Sequence, residues 1–165
     1  MIFSFLNRKK HKQAETRGHE AFATALDKAK AEFPALFKKD SPATDDVLRH
    51  QRFEAVSLTM SVILWHLKNN NENTVAQAAH DAMFLSFDRS LREGGVGDIG
   101  VSHKIKKLAQ AFYGRLDRYT RALDSNNDEE IAAGLQKNMG LEKPEADSHA
   151  SNMIKWAKAV AARNK

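Results

Sequence analysis

The chain has 165 residues, 42% of them hydrophobic, with 3 prolines, 8 glycines, no cysteine and a formal net charge of +5. The absence of cysteine excludes disulfides, thiolate metal sites and a cysteine nucleophile, and a composition rich in Ala, Leu, Lys and Glu argues against disorder and for helix. A single domain of this size removes roughly 70% of the unfolded chain's surface from water, so one real core is within reach, and the positive charge suits anionic partners without choosing among nucleic acid, membrane and acidic protein.

Residues 1–17, MIFSFLNRKKHKQAETR, set Ile2, Phe3, Phe5 and Leu6 before Arg8, Lys9, Lys10 and Lys12. This is no secretory signal, because the apolar block precedes the charge and is shorter than an h-region. No run in the chain approaches the roughly 18 apolar residues of a membrane span. Two readings stay open for the segment. It is a frayed basic terminus, or an apolar tip that enters a membrane interface while each nearby cation adds on the order of 1 kcal/mol against anionic lipid.

Residues 18–165 read as one helical domain. From His19 to Lys39 the positions Phe22, Leu26, Ala29 and Phe33 recur at helical spacing, and Pro34 predicts a break near Phe33. Ser41 and Pro42 have the order of an N-cap and first helical residue, with Asp45 and Asp46 in the favourable first turn. The helix they open, from about Ala43 to Lys68, is apolar around most of its circumference, which predicts a central position in a bundle or a groove offered to a partner. Asn69, Asn70 and Asn71 end it. Asn73 is the expected cap of a helix from Thr74 to about Glu93. After a glycine-rich turn, Val101, Ile105, Leu108, Phe112, Leu116, Tyr119 and Leu123 form the most regular stripe in the chain, with Lys104, Lys107, Arg115, Arg118 and Arg121 mainly off it. Asn127 or Asp128 caps a short helix ended by Gly140, and Pro144 opens a last one. The expected fold is all-α: a single domain of five to six packed amphipathic helices.

Gly95, Gly97 and Gly100 spell G-x-G-x-x-G, but the fingerprint needs a strand before the turn, and the residues before it read as helix. A connection between helices explains the glycines better, with Asp98 or Ser102 as the next cap. A weaker reading is an anion held by the following helix's first amides, with Lys104 and Lys107 nearby. The histidines form no metal-binding spacing, no nucleophile motif is present, and Glu129 and Glu130 read as first-turn charges. An enzyme is the weakest class: no catalytic residue, metal, cofactor or small-molecule substrate is expected. Trp65, Phe84, Phe87, Phe112, Tyr113 and Tyr119 sit at helical spacings that mean core rather than a haem or quinone pocket. Tyr113 alone lies one position off the stripe, where it can reach the surface beside Arg115.

The stretch SFDRSLREGGVGDIGVSHKIKKLAQAFYGRLDRYTRAL, residues 86–123, strongly resembles the ubiquinol-cytochrome c chaperone family. The resemblance rests on Asp88, Leu91, Arg92, Glu93, Gly95, Val96, Gly97, Asp98, Lys104, Lys107, Ala111, Phe112, Tyr113, Gly114 and Arg115, and extends more weakly over residues 52–165. Gly94 departs from the pattern, where a larger residue such as methionine is expected. The resemblance implies a non-catalytic, all-helical assembly chaperone of the cytochrome bc1 complex. Its client would be the membrane protein cytochrome b, and a small helical co-chaperone accompanies mitochondrial members. It implies a place in the bacterial cytoplasm, peripheral to the inner membrane. It also carries a client or partner surface onto Asp88, Arg92, Gly95, Gly97, Asp98, Lys104, Lys107, Tyr113 and Arg115. Membrane contact is expected at Phe3, Phe5, Leu6, Arg8, Lys9 and Lys10. The competing expectation is a helical module that binds anionic lipid or RNA, at a ribosome for instance, through its basic residues.

Overall fold

A computed structural model describes residues 2–38 and 46–163, with side chains from Arg8 onward. It holds six helices and no strand among the described residues: α1 (Ile2–Glu32), a 3-10 turn (Pro34–Phe37), α2 (Asp46–Asn69), α3 (Asn73–Glu93), α4 (Asp98–Asp124), α5 (Asp128–Met139) and α6 (Lys143–Ala162). The chain is all-α, as its periodicity predicts. The expected cap at Ser41 and Pro42, with Asp45, lies outside the described residues.

Helix α2 is the axis of the bundle and touches each of the other five helices. Every residue from Phe53 to Leu64 is buried, because apolar side chains occupy nearly the whole circumference. Two of the polar exceptions are satisfied within the helix, Thr59 and Ser61 donating to the carbonyls of Ala55 and Ser57 at 3.2 and 2.7 Å, whereas the Ser57 hydroxyl is buried without a partner and Glu54 is paired from another helix. Of the two open expectations for this helix, the central position is realised, and one of its faces also borders a groove described below.

Helix α1 runs without a break through residues 17 and 18, about 46 Å in all at 1.5 Å per residue. Nothing between Lys12 and Arg17 interrupts a helix. Gly18 is kept for another reason, since a Cβ there would stand 2.7 Å from backbone atoms of Ala78 and Ala79, so glycine lets α1 and α3 cross in close contact. From Arg8 to Gln13 the side chains are exposed, and Ala14 is the first described side chain to pack against the core. Pro34 stops α1 where expected. Its end is held to α6 by Glu32, which accepts from Lys28 at 2.8 Å, His149 at 2.7 Å and Asn152 at 2.9 Å. Burial alone would raise the Glu32 carboxyl, but those three donors outweigh it and hold it below the usual range.

Two expected caps are differently filled. Asn73 is the first residue of α3, and Glu72 holds the capping position without a side-chain capping bond, its carboxylate pairing instead with Arg17. At α4 the capping position is Gly97 in extended geometry; Asp98 follows as the first helical residue and uses its carboxylate elsewhere. Asn127 does cap α5, accepting from the Glu130 amide at 3.2 Å. Asn71 and Gly140 take left-handed geometry with φ of 58° and 71°, ending α2 and α5. The α4 stripe is buried at Val101, Phe112, Tyr119 and Leu123, while Ile105, Leu108 and Leu116 are only half-buried, and of these Leu108 borders the groove.

Candidate functional site

Helices α2 and α4 run in the same direction, as the contacts of Glu54 with Arg115 and of Trp65 with Asp124 require. Between them, over α3, lies a groove of about 450 Å³. Its apolar surface comes from Phe53 and Val56 of α2, Phe87 and Leu91 of α3, Leu108 and Ala111 of α4, Leu26 of α1 and Phe37 of the 3-10 turn. Five cations line it: Arg49, Arg52, Lys104, Lys107 and Arg115. Asp46 is the acid on its rim, and Ser86 and Ser90 lie one helical turn apart along the α3 wall.

These cations are not equivalent. Arg115 donates from Nε to both Glu54 carboxylate oxygens, at 2.8 and 2.7 Å, from Nη2 at 2.5 Å, and from Nη1 to the Ala111 carbonyl at 2.9 Å. Glu54 is fully buried, so this clamp satisfies a charge that water cannot reach. His50 approaches the same carboxylate at 3.6 Å and bonds the Asn138 carbonyl at 2.9 Å, tying α5 to the cluster. Arg52 donates to the Leu36 carbonyl at 2.5 Å and lies over the Phe37 ring. Arg49 pairs with Asp46 at 2.5 Å, and this bond, more than the nearby Lys104, holds the Asp46 carboxyl below its ordinary value. Lys104 and Lys107 are exposed and make no ion pair with a described residue.

The sequence-predicted surface residues fall into three places. Lys104, Lys107 and Arg115 line the groove. Asp88, Arg92 and Asp98 meet at the turn between α3 and α4, where Arg92 donates to Asp88 at 2.6 Å and also binds Asp98. Gly95 has φ of 82°, a left-handed conformation that glycine takes without strain, and the backbone bond from the Val96 amide to the Leu91 carbonyl at 3.1 Å closes the turn. Next to it Ile99 is 90% exposed. At Gly94 a Cβ would stand 3.0 Å from the Arg49 guanidinium, so a larger residue there requires that side chain to shift. Tyr113 stands apart on the α3 side of α4, 53% exposed, its hydroxyl 2.9 Å from His80 Nε2 and its ring stacked on that imidazole at 5.7 Å. Asp81 bonds the other ring nitrogen at 3.1 Å. Arg8, Lys9 and Lys10 are exposed on the first turns of α1, and the side chains of Phe3, Phe5 and Leu6 lie outside the described residues.

Phe84, Phe87 and Phe112 pack edge to face at 5.7 and 5.8 Å, so these aromatics fill one another's space in the core. No cluster of potential metal ligands occurs among the described residues, and none of their helices is long and apolar enough to cross a membrane. Sequence reasoning offered α2 as a central helix or a groove wall but assigned no site role to Arg49, Arg52, Phe53 or Glu54. The signal was present in Glu54, the single carboxylate inside the apolar run of α2, which needs a cation from another helix.

The sequence model of the ubiquinol-cytochrome C chaperone family matches residues 48–163, which includes nearly all of α2 and the whole of α3 and α4. The chain belongs to this family. Among solved structures it is similar to the Cbp3 homolog from Brucella abortus, whose crystal structure shares 32% identity at a TM-score of 0.72 and matches 98% of this chain and 88% of that one. No curated protein sequence matches. In this member of the chaperone family the residues matched supply both long walls of the groove, whereas Leu26 and Phe37 lie before the matched region.

Proposed function

We propose that the protein is an assembly chaperone of the cytochrome bc1 complex, ubiquinol-cytochrome c reductase, which holds cytochrome b before or during assembly and catalyses no reaction. The observation that carries this reading beyond family membership is the groove: an apolar surface open to solvent and rimmed by cations. A membrane-protein client exposes apolar helix faces until it is assembled, and a groove lined by Phe, Leu and Val can cover one for that interval. Work at the cytoplasmic side of a bacterial inner membrane fits the exposed basic end of α1, where Arg8, Lys9, Lys10 and Lys12 would face anionic lipid.

A deletion strain tests the reading. Assembled complex and haem b absorbance should both fall, with affinity purification from membranes returning cytochrome b; normal levels of both in the deletion strain would refute it. The same basic end of α1 favours a second reading, a module binding lipid or RNA without a bc1 client. Vesicle flotation and RNA binding across a salt series separate the two, because phosphate-dominated binding weakens steeply as salt rises.

A further inference from the structure

The groove has a direction. Arg49, Lys104 and Lys107 gather at the end next to the turn between α3 and α4, where the Arg49 guanidinium approaches Gly94. Toward the other end the cations are already committed, Arg115 to buried Glu54 and Arg52 to the Leu36 carbonyl. Phe53, Val56 and Phe87 lie between. Five cations against Asp46 on the rim and Glu54 beneath leave an excess of positive charge, and the two exposed lysines without a described ion-pair partner lie at the end near the turn.

We propose that the groove takes an apolar helical segment of a partner protein whose one end carries carboxylates, with that end seated on Lys104 and Lys107. The inference rests on the chaperone reading and names the part of the client that the groove holds. From Lys104 to Arg115 the α4 wall covers three helical turns, ~16 Å, room for about eleven residues of a docked helix lying along it. Its interior is apolar enough to take a stripe at i, i+3, i+4 and i+7, and Ser86 and Ser90 offer hydroxyls at the same one-turn repeat. The N-terminal segment of a second copy of this chain is a poor occupant, because Arg8, Lys9 and Lys10 follow Leu6 after one intervening residue and repeat the charge of the rim. A phosphodiester headgroup brings one phosphate to the lysine end, whereas the end of a helix can set one carboxylate on each of the two lysines.

The test uses the full chain and a fluorescein-labelled synthetic helical peptide of about four turns, with a Leu/Phe stripe and an Asp-Glu pair at one end. Its twin carries Asn-Gln at that end. Anisotropy titration at low salt should give about tenfold tighter binding of the acidic peptide. The variant K104E/K107E should lose that preference and favour a Lys-ended peptide, while K104Q/K107Q should bind both original peptides alike. Both positions are exposed, and far-ultraviolet circular dichroism checks that the variants remain folded. Equal affinity for acidic and amide peptides overturns the proposal, as does a preference that survives K104E/K107E. Flotation that depends on Lys104 and Lys107 with phosphatidylglycerol vesicles, and no binding of either peptide, overturns it in favour of lipid. Failure of the chaperone reading looks different: peptide discrimination persists while the deletion strain keeps its haem b.

Discussion

Two arginines of the family signature form ion pairs of the same chemistry in opposite surroundings. Arg115 reaches across from α4 to a Glu54 carboxylate that has no exposure at all; Arg92 binds Asp88 and Asp98 at the turn, in open water. The first pair is an internal requirement, since removing either partner strands a charge in the core. The second is solvated with or without its partners, so its energy is small and its value is geometric. Spacing along the helix does not distinguish them. Burial does, and burial decides which residue belongs to the fold and which is free to serve a partner.

Arg115→Ala breaks the comparison at its strongest point. It should cost about 3–5 kcal/mol in urea unfolding, because Glu54 is left buried and unpaired. Pairing it with Glu54→Leu should restore much of that loss, since two apolar groups leave nothing unsatisfied. If Arg115→Ala alone costs under about 1 kcal/mol, water reaches Glu54 and the clamp is no different from a surface pair.

The next effect concerns the same helix. Leu116 lies in the α4 stripe but is only half-buried, so Leu116→Ala should cost about 2 kcal/mol, the low end of the range for leucine truncation. The sequence stripe made Leu116 look equal to Phe112, because periodicity reports which side of a helix faces inward and not how deep each turn sits. The same limit explains what else was hidden. Helix order, the Pro34 break and the stops at Asn71 and Gly140 depend on local chemistry and could be read directly. The groove could not, because it is made by α2, α3 and α4 meeting at positions 49–56, 86–91 and 104–115, and a single sequence does not show which faces meet. Arg115 beside Tyr113 therefore read as one surface, whereas the structure turns the first toward Glu54 and the second toward His80.

Alkaline titration sharpens the buried side. Tyr119 is fully buried and its hydroxyl makes no hydrogen bond of regular geometry, the Asn138 side chain only partly offsetting the burial and the Glu54 charge that push its pKa up to about 12 from 10.0. The unfolded tyrosine ionises first, so the stability it contributes is complete below pH 10 and is lost as pH rises toward about 12. Tyr119→Phe should remove that part of the alkaline loss and leave stability at pH 7 unchanged or slightly higher. An unaltered profile between pH 10 and 12 would place the loss at another group.

On the exposed side, Gly114 sits inside α4 with nothing within 4 Å of where a Cβ would stand. Gly114→Ala should therefore stabilise by about 0.5–1 kcal/mol, seen as a higher urea midpoint. A loss instead would mean that the α4 backbone needs the glycine, contrary to its open surroundings.

Arg92→Ala carries the smallest expected change in stability and the most direct contrast with Arg115. The bonds Arg92 donates to Asp88, and then to Asp98, favour its charged form further, yet all three side chains can be hydrated once separated. The turn also has supports that do not involve the guanidinium, the Gly95 amide to the Arg92 carbonyl at 3.0 Å and the Val96 amide to the Leu91 carbonyl at 3.1 Å. The urea midpoint should accordingly stay within error of the parent. What the substitution removes is a tie between the last turn of α3 and the first residue of α4, so amide exchange should quicken around Val96 to Ile99 while α2 keeps its protection. If the midpoint instead falls as far as in Arg115→Ala, burial is not what separates the two pairs, and the turn must then be counted as part of the cooperative core.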